Sequence, residues 1–190
     1  MRKIPSLFQR NYDGDHLVRD EVVPGAEWAL AGYAVPTRKF DGTCCLIRDG
    51  KLYKRYELKK GRTAPAGFEA AQEPDATTGD VPGWMPVGAG KEDQWHREAF
   101  ASLSASDIED YDGSTFELCG PKIQGNPEHR ETHRLILHGN HPLPRALLHD
   151  YASIKAYLAT HDIEGIVWHH PDGLLMVKIK ARDFGITRMA

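Results

Sequence analysis

Apolar and polar positions alternate along most of this chain in short runs, and turn formers rather than long polar tracts separate the runs. Residues 31–35 read as a short strand stopped by Pro36, which leaves Thr37–Lys39 in an exposed link before the Asp41-Gly42 turn signal. Residues 43–47 and 52–58 read as the strands of a hairpin around Asp49-Gly50. A second hairpin is expected from residues 166–168 and 174–179 about Pro171-Asp172-Gly173, with further strands at 115–118 and 134–137. Residues 94–103 have the character of a helix. Tyr151, Ile154, Leu158 and His161 recur at helical spacing, so 150–161 is predicted as an amphipathic helix with Asp150 as its cap. Residues 1–28 show little pattern. Residues 61–93 hold many of the prolines and glycines and predict a long loop or insertion. Strands outnumber helices and short turns join them, so the expected class is α+β with antiparallel sheets.

A length of 190 residues suits one domain, 1–190, large enough to bury its own core. The apolar share of 41% and charged share of 27% are those of a soluble globular chain. No apolar run approaches the roughly 20 residues needed to cross a bilayer. The opening MRKIPSLFQRNYDGD lacks the apolar stretch of a secretion signal. The three cysteines include the adjacent pair Cys44 and Cys45 and show no zinc-type spacing. A reducing, cytoplasmic compartment is the expectation, with no structural zinc and no membrane partner.

The net charge of −3 argues against a nucleic-acid partner until its distribution is considered. Arg48, Lys51, Lys54, Arg55, Lys59, Lys60 and Arg62 face only Asp49 and Glu57 in that stretch. Lys178, Lys180, Arg182 and Arg188 face only Asp183, while acid gathers at Asp107, Glu109, Asp110 and Asp112. Either stretch taken alone is equally well a solvated strand face. Two of them flanking one candidate site favour a polyphosphate or RNA-backbone surface.

The candidate chemistry begins at Arg38-Lys39-Phe40-Asp41-Gly42-Thr43, where a lysine stands two positions before an Asp-Gly turn. Free lysine has a pKa of about 10.4 and is a poor nucleophile while protonated; nearby cations and partial burial favour the neutral amine. Arg38 is one such neighbour. Glu117 in FELCG, Glu164 in EGIVW, and Lys178 with Lys180 in MVKIK follow in order. The two lysines lie two apart on an expected strand and so share a face, which suits a triphosphate whose charge must be neutralised during in-line displacement. A carboxylate at a strand edge can hold water on a hydrated Mg²⁺ or accept hydrogen bonds from a ribose. Each residue has an ordinary alternative: surface lysines alternating with buried Val177 and Ile179, solvated strand-end glutamates, and a turn aspartate at Asp41. The ordered set points to an enzyme that moves AMP through a covalent lysyl intermediate. Cys44 and Cys45 should point to opposite faces of their strand and serve packing. The histidines show no metal spacing and there is no phosphate-binding GxxxxGK[ST] loop. The aromatic that would stack on a purine stays open among Trp84, Trp95, Phe116 and Trp168.

KFDGT, FELCG, EGIVW and KIK resemble motifs I, III, IV and V of the covalent nucleotidyltransferases, which include RNA ligases, DNA ligases and mRNA capping enzymes. PTRKFDGTCC, PGWMPV, GPKIQGNP, LILHG and IEGIVWHHPDG resemble, more narrowly, the vertebrate-type ATP-dependent 5′–3′ RNA ligase family, in patches from about Ala31 to Phe184. The resemblance implies two antiparallel sheets with flanking helices around an ATP cleft. It implies Lys39 as the AMP acceptor, with Arg38 and Gly42 in the same nucleotide-contacting stretch. Asp41 and Glu164 would organise a Mg²⁺ hydrate (Mn²⁺ being the alternative ion), mostly through water. Arg55 and Glu117 would touch ribose or phosphate, Lys178 and Lys180 would grip the α-phosphate and pyrophosphate, and Val167 would pack on adenine. The chain is expected to lack the C-terminal oligonucleotide-binding domain of many ligases, so RNA-end specificity falls to its own basic surface or to a partner. The implied function is ligation of RNA 5′-phosphate and 3′-hydroxyl ends, a repair activity, through lysyl-AMP and adenylated RNA. An adenylyltransferase that activates ends without sealing, and an idle nucleotide- or RNA-end-binding domain, are the alternatives.

Overall fold

The computed structural model describes residues 3–188. In chain order the strands are β1 (Phe8–Arg10), β2 (Val18–Val22), β3 (Val35–Lys39), β4 (Thr43–Arg48), β5 (Lys51–Leu58), β6 (Glu69–Ala70) and β7 (Val81–Pro86). Helices α1 (Gln94–Ala101) and α2 (Ala105–Asp110) precede β8 (Thr115–Cys119) and β9 (Arg134–Leu137); α3 (Tyr151–Thr160), β10 (Gly165–His169) and β11 (Met176–Lys180) complete the set. All pairings between these strands are antiparallel, and the helices are few, as an α+β reading requires. No helix among the described residues is long and apolar enough to cross a membrane. The chain divides into two compact units, one built on residues 41–138 and the other on residues 4–40 and 139–188.

The unit of residues 41–138 holds the six-stranded sheet β6-β7-β5-β4-β8-β9. Alternation sends Cys45, Ile47, Leu52, Phe116 and Leu118 to one face, where they are buried with Ala99 of α1 and Ile123. Cys45 is fully buried and Cys44 is not, as the adjacent-pair argument requires. Burial pushes the Cys45 thiol well above its ordinary pKa, so it stays neutral and serves packing. α2, which the sequence pattern does not foretell, starts at a Ser104–Asp107 capping box. Residues 61–93 are also not the single loop expected. Val81–Pro86 pairs along β5 from Leu58 to Tyr53, although it contains two prolines. β6 covers only Gly83 and Trp84 on its other side, so β7 behaves there as an edge strand, where proline costs no ladder bond.

The other unit carries a three-stranded sheet, β11-β10-β3, and the β1-β2 pair. Leu7, Phe8, Ile154, Leu158, Ile166, Trp168, Ile179 and Phe184 form its core. α3 begins where Asp150 accepts the Ser153 amide at 2.7 Å and Ser153 Oγ accepts the Asp150 amide at 3.1 Å, a reciprocal cap that contributes about 1 kcal/mol. Residues 31–35 are not the strand expected. β3 instead runs from Val35 through Pro36 to Lys39, with Thr37 buried rather than in an exposed link. The physical reason is that β3 is an edge strand. Pro36 turns its missing N–H outward, where Leu143 donates to the Pro36 carbonyl at 2.9 Å and Arg38 donates to the His141 carbonyl at 2.9 Å.

Candidate active site

Register decides which side chains of the three-stranded sheet meet. Arg38, Ile166, Trp168, Val177 and Ile179 share one face, and Ile166, Trp168 and Ile179 are fully buried there. The opposite face has three rows. Lys39 and Lys180 flank Gly165, Thr37 and Lys178 flank Val167, and Val35 and Met176 flank His169. Gly165 is required by close approach, since a Cβ there would lie 2.1 Å from the Ile179 carbonyl oxygen. Glu164, the residue before it, is buried. One Glu164 oxygen accepts a hydrogen bond from Lys39 Nζ, and the other accepts from Lys180 Nζ at 2.5 Å. The Glu164 carbonyl accepts the Ala181 amide at 2.9 Å, and Asp183 accepts the Lys180 amide at 2.9 Å, which ties the end of β11 beside the carboxylate.

Burial works most strongly against the ionised form of Glu164, but the charges and hydrogen bonds of Lys39 and Lys180 together outweigh it and hold the carboxyl below its ordinary pKa. Lys178 is displaced the opposite way from free lysine. Burial first, then the positive charges of Lys180 and Lys39, lower it to about 8, against the smaller pull of Glu164 and Asp183. Two ammonium groups therefore share one buried carboxylate, and a third amine, Lys178, stands one row away on the same face. Such a surface can accept a polyanion, and neighbouring cations favour the neutral form of an amine.

The unit of residues 41–138 carries the remaining candidates. Asp41 and Gly42 offer successive backbone amides to two buried carboxylates. Glu128 accepts from Asp41 at 3.0 Å and Glu117 accepts from Gly42 at 3.1 Å. A Cβ on Gly42 would lie 2.2 Å from the Leu118 carbonyl oxygen, so the turn admits no side chain. The second oxygen of Glu117 meets His138 Nε2 at 2.9 Å, and His138 Nδ1 meets Thr115 Oγ1 at 3.0 Å. Cys44, Glu117 and Ile136 share the sheet face opposite the α1 core, as do Arg55 and Trp84. The Arg55 guanidinium lies 5.1 Å from the Trp84 ring centroid, and burial lowers its pKa.

The structure thus brings Lys39, Glu164, Lys178, Lys180 and Val167 onto one surface, and Gly42, Glu117 and Arg55 onto another, with the Asp41 amide tied beside Glu117. Arg38 stands apart from Lys39, because alternation turns it to the other face of β3, with its guanidinium 4.7 Å from the Phe40 ring centroid. Of the four aromatics left open for stacking, Trp95 stacks on His133 at 4.6 Å, Phe116 is in one core and Trp168 in the other. Trp84 alone shares a face with Glu117 and Arg55. Sequence reasoning missed Glu128, His138 and Thr37. Thr37 would have followed from letting β3 continue through Pro36, since it lies two before Lys39. The basic hairpin is less cationic than its sequence. Arg48 pairs with Glu69 at 2.6 Å, Lys54 with buried Asp93 at 2.5 Å, and Lys59 with Glu57 and Asp80 at 2.8 Å each.

Comparison with known proteins adds a family. The profile of a family described as RNA ligase 1 matches residues 94–188, half of the chain. That span contains Glu117, Glu128, Glu164, Val167, Lys178 and Lys180, while Lys39 and Asp41 precede it. Among curated relatives, RNA ligase 1 of Pongo abelii is 28% identical over 222 aligned positions, covering 80% of this chain and 68% of the relative. RNA ligase 1 of Mus musculus is 27% identical, covering 80% and 67%, and that of Danio rerio is 24% identical, covering 88% and 72%.

Proposed function

The chain belongs to the RNA ligase 1 family, and from that premise we propose that it is an ATP-dependent ligase joining RNA 5′-phosphate and 3′-hydroxyl ends through a covalent lysyl-AMP. The proposal includes the covalent nucleotidyltransferase fold, with residues 1–190 as its adenylation domain. The observation that carries it is the Lys39–Glu164–Lys180 cluster, with Lys178 one row away on the same face.

Lys39 Nζ attacks the α-phosphorus of ATP. A P–N bond forms, the bond to the bridging oxygen of pyrophosphate breaks, and the amine releases its proton to water. Lys178 and Lys180 offset the charge that develops on the phosphates, an electrostatic contribution realised without reorganising water. Glu164 holds Lys39 and Lys180 in position. AMP then passes from Lys39 to the RNA 5′-phosphate, and the 3′-hydroxyl oxygen displaces it to form the phosphodiester. Glu117, steadied by His138, and Arg55 offer an acceptor and a donor for ribose or phosphate, and Val167 offers an apolar contact for adenine.

The residues present do not form a direct cage for Mg²⁺. Among the described residues no group of three or more His, Cys, Asp or Glu side chains could hold a metal, and both Glu164 oxygens are engaged by ammonium groups. No step above is routed through the ion. A hydrated Mg²⁺ that arrives on the ATP phosphates, held through water by Asp41 and Glu164, remains part of the proposal and would supply further charge neutralisation.

The test is transfer of label from α-labelled ATP to the protein. The expected product is an acid-labile, base-stable phosphoramidate, absent from Lys39→Ala. Unlabelled wild-type protein, or a labelled Lys39→Ala variant, overturns the lysyl-nucleotide step. Adenylated RNA that accumulates without joined product leaves end activation rather than sealing.

A further inference from the structure

The segment that follows β8 carries exposed charges on a backbone held by hydrogen bonds and core packing. Lys122, His129 and Arg134 are exposed and Arg130 is partly so, whereas Glu128 is turned inward and buried, leaving Glu131 as the exposed acid of residues 120–134. Gln124, Gly125, Asn126 and His129 all hold positive φ, from +49° to +78°, a conformation that only Gly adopts freely. The segment is pinned from several sides. Asn126 exchanges hydrogen bonds of 2.8 and 3.1 Å with the backbone of Arg130, Ile123 is in the core, and His133, stacked on Trp95, accepts the Lys122 amide at 3.3 Å. Glu128 fastens it to the Asp41 amide at 3.0 Å, two residues along the chain from Lys39. Arg134 opens β9, opposite Cys119.

We propose that this segment is the surface that holds the phosphodiester backbone of single-stranded RNA near its reacting end, with Lys122 and Arg134 as the phosphate contacts. The choice of RNA rests on the ligase reading above. The basic hairpin 48–62 is the weaker candidate because Arg48, Lys54 and Lys59 already spend their charge on carboxylates. Exposed cations on a segment anchored at several points position a backbone without reading its sequence, which is what an end-joining enzyme needs. A preformed surface also loses less freedom on binding than a flexible basic tail would.

The experiment measures binding of a fluorescein-labelled, 5′-phosphorylated single-stranded RNA by anisotropy across a salt series, without ATP. The expected result for Lys122→Ala/Arg134→Ala is roughly ten-fold weaker binding and a log–log salt slope shallower by roughly 0.7 for each contact removed. Lys122→Arg/Arg134→Lys should retain wild-type binding, because only the charge is asked for. Lys51→Ala/Lys60→Ala in the hairpin should change affinity and slope less. Unchanged binding in the loop variant, a larger loss in the hairpin variant, or no measurable binding by the wild type each overturns the proposal. Thermal melting of the loop variant separates lost contacts from lost folding; should it melt early, Lys122→Gln alone is read in its place, with the same expectation for one contact. Because ATP is absent, failure here is distinct from failure of the lysyl-AMP reading, which the labelling assay reports by itself.

Discussion

Replacing Lys178 by methionine should stabilise the protein while silencing it. Methionine keeps the unbranched apolar stem out to the ε position and removes the charged end. Burial and the nearby charges of Lys180 and Lys39 lower the Lys178 pKa from 10.5 to about 8. At pH 7 the amine is protonated in the folded and unfolded chains alike, so the folded chain carries the full cost of that displacement. The cost is about 2–3 kcal/mol, allowing for the part of the side chain still in water. Between about pH 8 and 10.5 the unfolded chain keeps a proton that the folded chain has shed, so wild-type stability climbs with pH while the variant's does not. The advantage of the variant should therefore be largest near neutral pH and close toward pH 10.5. The measurement is urea unfolding of both proteins at several pH values, with hydrogen exchange of the β10 and β11 amides reporting on this unit alone. The same variant should lose lysyl-AMP labelling, a stability gain bought against function. A variant no more stable than wild type at pH 7, or a gap that does not narrow with pH, would refute the claim that cationic crowding burdens this strand.

Two other substitutions probe the same surface. Glu164→Gln leaves Lys39 and Lys180 without their shared anion, and labelling should fall by roughly 10²–10³-fold. Because the Glu164 pKa is depressed on folding, its stabilising effect is complete above the ordinary value of 4.5 and is lost as pH falls through the folded value; the wild type should lose its stability margin over the variant in acid, and a margin that is flat with pH would contradict the cluster. Gly165→Ala would drive a Cβ to 2.1 Å from the Ile179 carbonyl oxygen and should cost about 1–3 kcal/mol with lost labelling; calorimetry showing an unchanged melting temperature would mean that β11 yields freely.

Much of the fold was legible where one local cause decides. Asp49-Gly50, with φ of +51° and +67°, turns the first hairpin where the dipeptide says, and β9 occupies the expected residues 134–137. Asp150 caps α3 because its carboxylate needs only the amide three residues on. Legibility failed where a distant partner decides. Pro36 halts a strand in isolation, yet here residues 141–143 take the outer edge of β3 and make the proline harmless. Residues 81–86 look like loop until β5 supplies their ladder. Glu128 lies among turn formers and gains its meaning only from the Asp41 amide, 87 residues away along the chain.

The candidate site divides the same way, and the division bears on how the lysines are used. A spacing of two places Lys178 and Lys180 on one strand face, and that much follows from β geometry. Which of them shares the carboxylate does not follow, because it depends on register across two neighbouring strands. Gly165 stands opposite both Lys39 and Lys180, so the residue before it reaches those two amines, and Lys178 falls one row away beside Val167. Lys180 accordingly has a direct ion pair with Glu164, while Lys178 has burial, two like charges and a pKa of about 8. Two lysines that look interchangeable in MVKIK are thus electrostatically unlike. Lys180 is compensated by Glu164, whereas a phosphate arriving beside Lys178 would give it the counter-charge that its own unit only partly supplies. Binding of a polyphosphate should therefore be strongest where Lys178 can still take up a proton, and it should weaken as pH rises through about 8.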